Sequence, residues 1–177
     1  VRIINDILDI SKIEAGKLEL NPRPYDVHEL VNLSIQSVGQ IARGSSVALT
    51  PIVPPDIPKV NADPDRTIQA IVNLLSNALK YAPARSDVTL EVRPDPPGFV
   101  TFAITDLGRG IPADKLGQLF QKFQQIDGAN TRKFRGTGLG LAITKALVEM
   151  QGGSVGVTSE TGVGSTFWIT IPIVKAS

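Results

Sequence analysis

Asp106-Leu107-Gly108-Arg109-Gly110-Ile111-Pro112 opens the stretch that decides the fold, and Gly136-Thr137-Gly138-Leu139-Gly140-Leu141 closes it. Between these two glycine turns lies a polar, basic segment with few strong helix or strand signals. Glycine lets the backbone take positive φ and lets a ligand approach the amide N–H groups. Where such a turn opens a helix, free N–H groups and the helix dipole together favour an anion. The spacing G-x-G-x-G differs from the G-x-G-x-x-G of dinucleotide folds, and no G-x-x-x-x-G-K-[ST] occurs in the chain. A single glycine turn is usually a structural cap. Two of them, bracketing a basic loop and preceded by an asparagine-bearing helix, point instead to a phosphate-binding lid.

Working outward, the strongest helical pattern lies upstream, from Asp65 as expected cap to about Tyr81. Ile68, Ile71, Val72, Leu75 and Leu79 follow the helical period, and Pro83 ends it. Asn73 and Asn77 are four apart and share one face, with Lys80 close to it. Asparagine is a poor residue for a helix interior because its side chain competes for backbone hydrogen bonds. The pair is either a solvated polar face or a source of carbonyl oxygen for a hard cation. Mg²⁺ suits the second case, since it needs few protein ligands when substrate phosphates and water supply the rest. Lys80 can neutralise a phosphate. Asp106 ends a strand before a glycine turn, where it either forms an Asx turn or accepts a hydrogen bond from an exocyclic amine. Arg132, Lys133 and Arg135 form a basic cluster abutting the second glycine turn.

The remaining pattern supplies a scaffold. Residues 1–16 read as a helix with Ile3, Ile7 and Ile10 on a stripe, Ile4 and Leu8 beside it, and Gly16 as the stop. Lys17 to Asn21 alternates as a short strand would, and Pro22 and Pro24 break the alternation. Asp26 and Glu29 suggest a capping box for a helix to about Ala42, with Val27, Leu30, Val31, Ile35 and Val38 inward. A turn over Arg43 to Ser46 and a strand over Val47 to Ile52 follow, and Pro51, Pro54, Pro55 and Pro58 mark a rigid loop. Val88 to Arg93 and Phe99 to Asp106 form a hairpin through Pro94 to Gly98. A short helix from Ala113 to Phe123 precedes the lid, and a helix to Met150 follows it. Ser154 to Ser159 and Ser165 to Ile173 complete the pattern. The sum is a two-layer α/β sandwich: a mixed, largely antiparallel sheet with helices on one face, plus a short N-terminal helix.

Composition narrows the function. The 177 residues carry a net charge of +1, which leaves no basic footprint for nucleic acid. There is no cysteine and one histidine, so thiol metal sites, histidine clusters and a catalytic triad are excluded. No apolar run nears the roughly 20 residues of a membrane span, and no signal peptide is visible. The chain is expected to be cytoplasmic and, starting at Val1 in mid-helix pattern, to be part of a longer protein.

Taken together, these motifs resemble the catalytic, ATP-binding domain of sensor histidine kinases, in the GHKL ATPase superfamily. Asn73-Leu74-Leu75-Ser76-Asn77-Ala78-Leu79-Lys80-Tyr81 looks like the N box of that family. Asp106 to Pro112 looks like the first glycine box, and Leu119-Phe120-Gln121-Lys122-Phe123 like the F box. Gly136 to Leu141 is similar to the second glycine box, and Gly162-Val163-Gly164-Ser165-Thr166-Phe167 to the terminal glycine-rich strand. The motifs come in the family's order over about residues 17–174.

The resemblance implies the Bergerat type of sandwich over 17–177, with 1–16 as the end of the second helix of a dimerisation and phosphoacceptor domain. It implies ATP and Mg²⁺ as cofactors. Asn77 would be the Mg²⁺ ligand with Asn73 beside it; Lys80 would meet phosphate and Tyr81 would flank the nucleotide. Asp106 would read the adenine amine, supported by Thr166. Gly108, Gly110 and Ile111 would shape the turn on which the lid hinges, and Phe123 would anchor the lid base. Arg132 would contact phosphate, and the second turn (Gly136, Thr137, Gly138, Leu139, Gly140) would cradle it. The implied partners are a phosphoacceptor histidine domain of the same or a partner subunit and a response-regulator receiver domain. The parent is expected to be a homodimer, the chain itself a monomer without membrane contact. The phosphoacceptor helix is absent and His28 lies in no such motif, so the chain is expected to hold ATP without phosphorylating itself. Arg135 departs from the glycine that many relatives carry there. The alternatives are an ATP-hydrolysing relative, whose metal asparagine follows a general-base Glu where this chain has Asn73, and a degenerate regulatory nucleotide-binding module.

Overall fold

The computed structural model describes residues 2–121 and 139–175. Helix α1 (Arg2–Glu14) leads into strand β1 (Arg23–Tyr25) and helix α2 (Val27–Ser45). Strands β2 (Ala48–Ile52) and β3 (Val60–Ala62) precede the long helix α3 (Pro64–Tyr81). The hairpin β4 (Asp87–Arg93) and β5 (Phe99–Asp106) is followed by a 3-10 turn over Ala113–Gln118. Helix α4 (Gly140–Met150) and the hairpin β6 (Val155–Glu160) and β7 (Gly164–Pro172) end the fold.

Five strands form a mixed sheet in the order β2-β4-β5-β7-β6. Only β2 and β4 run parallel; the other neighbours are antiparallel. β1 and β3 make a separate antiparallel pair. Helices α2, α3 and α4 cover one face, with α3 against β4 and β5, α2 toward β2, and α4 toward β6 and β7. The inward row of β5 is Val100, Phe102 and Ile104, and that of β7 is Phe167, Ile169 and Ile171. They meet Ile71, Leu74, Leu75 and Leu79 of α3 in one core. This is the two-layer sandwich read from the pattern.

Several local expectations need correction. Lys17 to Asn21 is not a strand: its alternation reflects Leu18 and Leu20 packing against α4 residues, with no ladder partner. The strand lies instead at Arg23–Tyr25, through Pro24, because a two-stranded pair has an open side where the missing N–H costs nothing. The cap of α3 is Asp63, not Asp65. Its carboxylate accepts the N–H of Arg66 at 3.1 Å, and Pro64 takes the first helical position, where its fixed φ fits. β3 was hidden among prolines, although Val60 and Ala62 are buried and Asn61 is exposed. Helix α2 also runs past Ala42, through the expected turn, until Ser46 ends it in the left-handed region at φ 55°. The segment after Ile111 is a 3-10 turn rather than an α-helix, and its expected end at Phe123 lies outside the described residues.

Candidate functional site

Three chain segments converge at the inner end of β5. The inward row Val100, Phe102, Ile104 ends on Asp106, a carboxylate only 4% exposed at the point where apolar cover gives out. One of its oxygens, Oδ1, accepts the N–H of Gly108 at 2.9 Å, which makes the Asx-type turn that the sequence allows. Burial pushes the carboxyl above its ordinary range, while the N–H groups of Gly108 and Ser165 pull it back. Gly108 must be glycine, because a Cβ there would sit 2.8 Å from the Tyr81 carbonyl oxygen and from Asp106 Oδ1. The first glycine turn is thereby seated on the end of α3. There Lys80 Nζ lies 5.4 Å from the centre of the Tyr81 ring. Burial raises the Tyr81 phenol, and Arg109 opposes the shift.

Along α3, residues 73, 76, 77 and 80 share a face. Asn73 Nδ2 donates to the Gly140 carbonyl and to Thr144 Oγ1, both at 3.3 Å. Thr144 Oγ1 donates in turn to the Gly140 carbonyl at 2.8 Å. A carbonyl only accepts, so the Asn73 amide nitrogen is fixed toward α4 and its oxygen away from it. Asn77, one turn on, is half-buried and its side chain has no hydrogen-bond partner among the described residues. Ser76 Oγ, on the same face, is buried with no partner among the described residues. The start of α4 carries no side-chain cap on its first N–H groups. A polar face on α3 bearing Asn77, Ser76 and a lysine, set beside a helix start without a side-chain cap, suits a phosphate-bearing ligand. The Asn77 carbonyl is the oxygen donor that Mg²⁺ prefers, and no cluster of three His, Cys, Asp or Glu offers an alternative metal site among the described residues.

The structure thus brings together Asn73, Asn77, Lys80, Tyr81, Asp106, Gly108, Gly110, Ile111, Leu139 and Gly140. Phe123, Arg132, Gly136, Thr137 and Gly138 lie outside the described residues. Thr166 is a correction. It pairs with Thr105, and the two hydroxyls are hydrogen-bonded at 2.8 Å on the outer face of the sheet. Strand alternation therefore turns Thr166 away from Asp106, and the residue opposite Asp106 is Ser165. Ser165 was missed, as were its neighbour Ser159 and the α4 residue Thr144. The signal for Ser165 was parity: a residue two before the inward Phe167 also faces inward.

The first glycine turn and the β6–β7 turn interlock. The Gly162 N–H donates to the Arg109 carbonyl at 2.7 Å, and the Ile111 N–H to Ser159 Oγ at 2.7 Å. A Cβ on Gly110, at φ 78°, would lie 2.2 Å from the Glu160 carbonyl oxygen. One on Gly164, at φ 146°, would lie 2.1 Å from the Asp106 carbonyl oxygen. Only glycine fits at either point of contact.

A strand-end carboxylate, an asparagine-bearing helix and a helix start without a side-chain cap, mounted on a mixed sheet, make a candidate site for a nucleotide. The chain belongs to the family described as histidine kinase-, DNA gyrase B- and HSP90-like ATPases, whose profile matches residues 62–175. It is 41% identical over 174 residues to the circadian input-output histidine kinase CikA of Synechococcus elongatus, covering 97% of this chain and 23% of CikA. Against the sensor histidine kinase RcsC of Escherichia coli it is 39% identical over 177 residues, covering 99% of this chain and 18% of RcsC. It therefore spans less than a quarter of either relative. The crystal structure of full-length ShkA in complex with AMPPNP superposes with a TM-score of 0.87 at 31% identity, covering 99% of this chain and 36% of ShkA. The catalytic domain of the histidine kinase ThkA, at 22% identity and TM-score 0.74, covers 87% of this chain and 97% of its own and shares the fold.

Proposed function

We propose that this chain is the ATP-binding catalytic unit of a two-component sensor histidine kinase, cut from a larger parent. The observation that carries the reading is the buried, strand-end Asp106 set beside the asparagine face of α3 and the uncapped start of α4. The AMPPNP bound in the similar ShkA structure supports it. Asp106 would accept the exocyclic amine of adenine, and Tyr81 would flank the nucleotide. Lys80, Arg132 and the N–H groups from Gly138 to Gly140 would hold the phosphates. Asn77 would hold Mg²⁺, which would neutralise charge on the phosphates when bound. Phosphoryl transfer is chiefly positioning and charge stabilisation, and these are the parts this chain offers.

In the reaction an imidazole nitrogen on a separate phosphoacceptor helix bonds to the γ-phosphorus of ATP, and the bond to the β–γ bridging oxygen breaks to release ADP. That helix would come from the same or a partner subunit of a homodimeric parent, with a receiver domain as the next acceptor. Residues 1–16 would be the end of the second helix of that dimerisation unit. The exposure of Ile4, Ile7 and Leu8 on α1 supports this. We place the unit in the cytoplasm; no described helix is long and apolar enough to cross a membrane.

Asn73 sets transfer against hydrolysis. It is a neutral amide, tied to α4, where a hydrolytic relative has a Glu to take a proton from water. Calorimetric titration with ADP and ATP, with and without Mg²⁺, is the direct test. Micromolar binding by the parent chain and its loss in Asp106→Asn are expected; no binding of either nucleotide by the parent chain would overturn the reading. Labelled ATP with an added phosphoacceptor domain separates a kinase from a degenerate binding module, which would leave that domain unlabelled.

A further inference from the structure

Ser159, near the end of β6, belongs to none of the motifs that point to the nucleotide. Its hydroxyl accepts the Ile111 N–H at 2.7 Å, donates to the Gly164 carbonyl at 2.9 Å and lies 2.8 Å from Ser165 Oγ. A hydroxyl has one proton and two acceptor sites. The Ile111 amide uses one acceptor site, and the Gly164 carbonyl, which cannot donate, takes the proton. What remains toward Ser165 is a lone pair, so the proton between the two serines must come from Ser165. Ser165 then presents only lone pairs to the rest of its surroundings. It is 6% exposed and stands opposite Asp106 in the β5–β7 ladder. An ionised carboxylate is also acceptor-only. The inner end of these two strands therefore carries two acceptor side chains side by side.

We propose that Ser159 is a positioning residue for base recognition: it fixes the Ser165 hydroxyl as an acceptor, so that the site takes a purine bearing an exocyclic amine and rejects one bearing a carbonyl there. The inference rests on the nucleotide-binding reading above and adds a second determinant of base selectivity to Asp106. A base carbonyl would add another acceptor with no proton to share. Sites built to hydrogen-bond a group discriminate against its absence far more sharply than sites that sense shape alone. The same hydroxyl holds Ile111, so one side chain sets both the first glycine turn and the polarity of its neighbour.

The test is calorimetry with ADP and IDP on the parent chain, Ser159→Ala, Ser165→Ala and the double variant. In Ser159→Ala the Ser165 proton is released and can turn to a base carbonyl. ADP affinity is expected to fall about three- to tenfold, and the ADP-over-IDP preference to shrink by about tenfold. In the Ser165→Ala background, adding Ser159→Ala should leave that preference unchanged, as a shared pathway requires. Ser159→Thr keeps the hydroxyl and should restore the parental preference, which a purely structural loss would not predict. A preference that survives Ser159→Ala, or that shifts equally with and without Ser165, overturns the inference while ADP binding stands. If Ser159→Ala does not fold, Ser165→Ala alone decides, since an undiminished preference there also overturns it. A parent chain that binds neither nucleotide overturns the underlying reading together with the inference.

Discussion

Asp106 works against its own burial. Its folded carboxyl is raised above the ordinary value by desolvation, with the Gly108 and Ser165 N–H groups only partly compensating. A carboxyl raised on folding favours the fold while protonated, below its unfolded value, and loses that contribution as pH rises through the folded value. At neutral pH the ionised group is therefore a cost to the fold. Asp106→Asn keeps an acceptor for Gly108 and removes the charge. Its midpoint of thermal unfolding should exceed the parent's at pH 7, and the gap should close as pH falls into the carboxylate range. Its ADP affinity should fall by at least about tenfold, since the charged acceptor is gone. The two asparagines separate in the same way. Asn73→Asp sets a carboxylate against the Gly140 carbonyl, so nucleotide binding should weaken about tenfold with or without Mg²⁺. Asn77→Ala should lose only the part of the affinity that Mg²⁺ adds. The sequence made Asp106 and both asparagines visible, because polar residues at a strand end and within an apolar helix violate the local pattern. It hid the choice of Ser165 over Thr166, because both are small hydroxyl residues and only the register with β5 says which one faces inward.

Helix α3 is the element on which the site is mounted. Its start rests on Asp63, whose second oxygen also accepts the Asn21 N–H at 2.9 Å. Asp63→Ala removes both bonds and should cost about 1–2 kcal/mol in denaturant unfolding. Ile71→Ala, at the fully buried centre of the same helix, should cost about 2–5 kcal/mol. The helix itself was legible from its apolar period, and its end from Pro83. Its start was ambiguous because Asp63 and Asp65 are both good caps, and the proline between them decides in favour of the first. Strands β4, β5 and β7 announced themselves by an apolar residue at every second position, which lines the core face. β1 and β3 did not, being three residues each and embedded among prolines. Parallel pairing of β2 with β4 left no local trace either, since it depends on α3 carrying the chain back across the sheet.

At the scale of the molecule, polar and apolar contacts hold α1 to the rest of the fold. Asp9 accepts from Arg66 at 3.3 Å and from Gln69 at 2.8 Å, while Ile10 packs with Leu18, Leu139, Ile143 and Leu147. Arg66→Ala should raise amide exchange in α1 and leave β5 and β7 protected, at a cost of about 1 kcal/mol. The one histidine sits in the first turn of α2, far along the chain from every nucleotide motif. The chain incubated with labelled ATP should accordingly yield no stable phosphohistidine; its appearance would contradict the division of labour proposed here.

The interlock of Gly110 with Glu160 and of Gly164 with Asp106 reaches beyond ligand binding. Some fifty residues of sequence separate the two turns, yet neither has room for a side chain except by displacing the other's main chain. They form a matched pair in this fold. A chimera that transplants the first turn from a distant relative while keeping the native β6–β7 turn would join a key to another lock, and a library that varies one alone would return few folded clones. Exchanged together, they should travel as a single cassette.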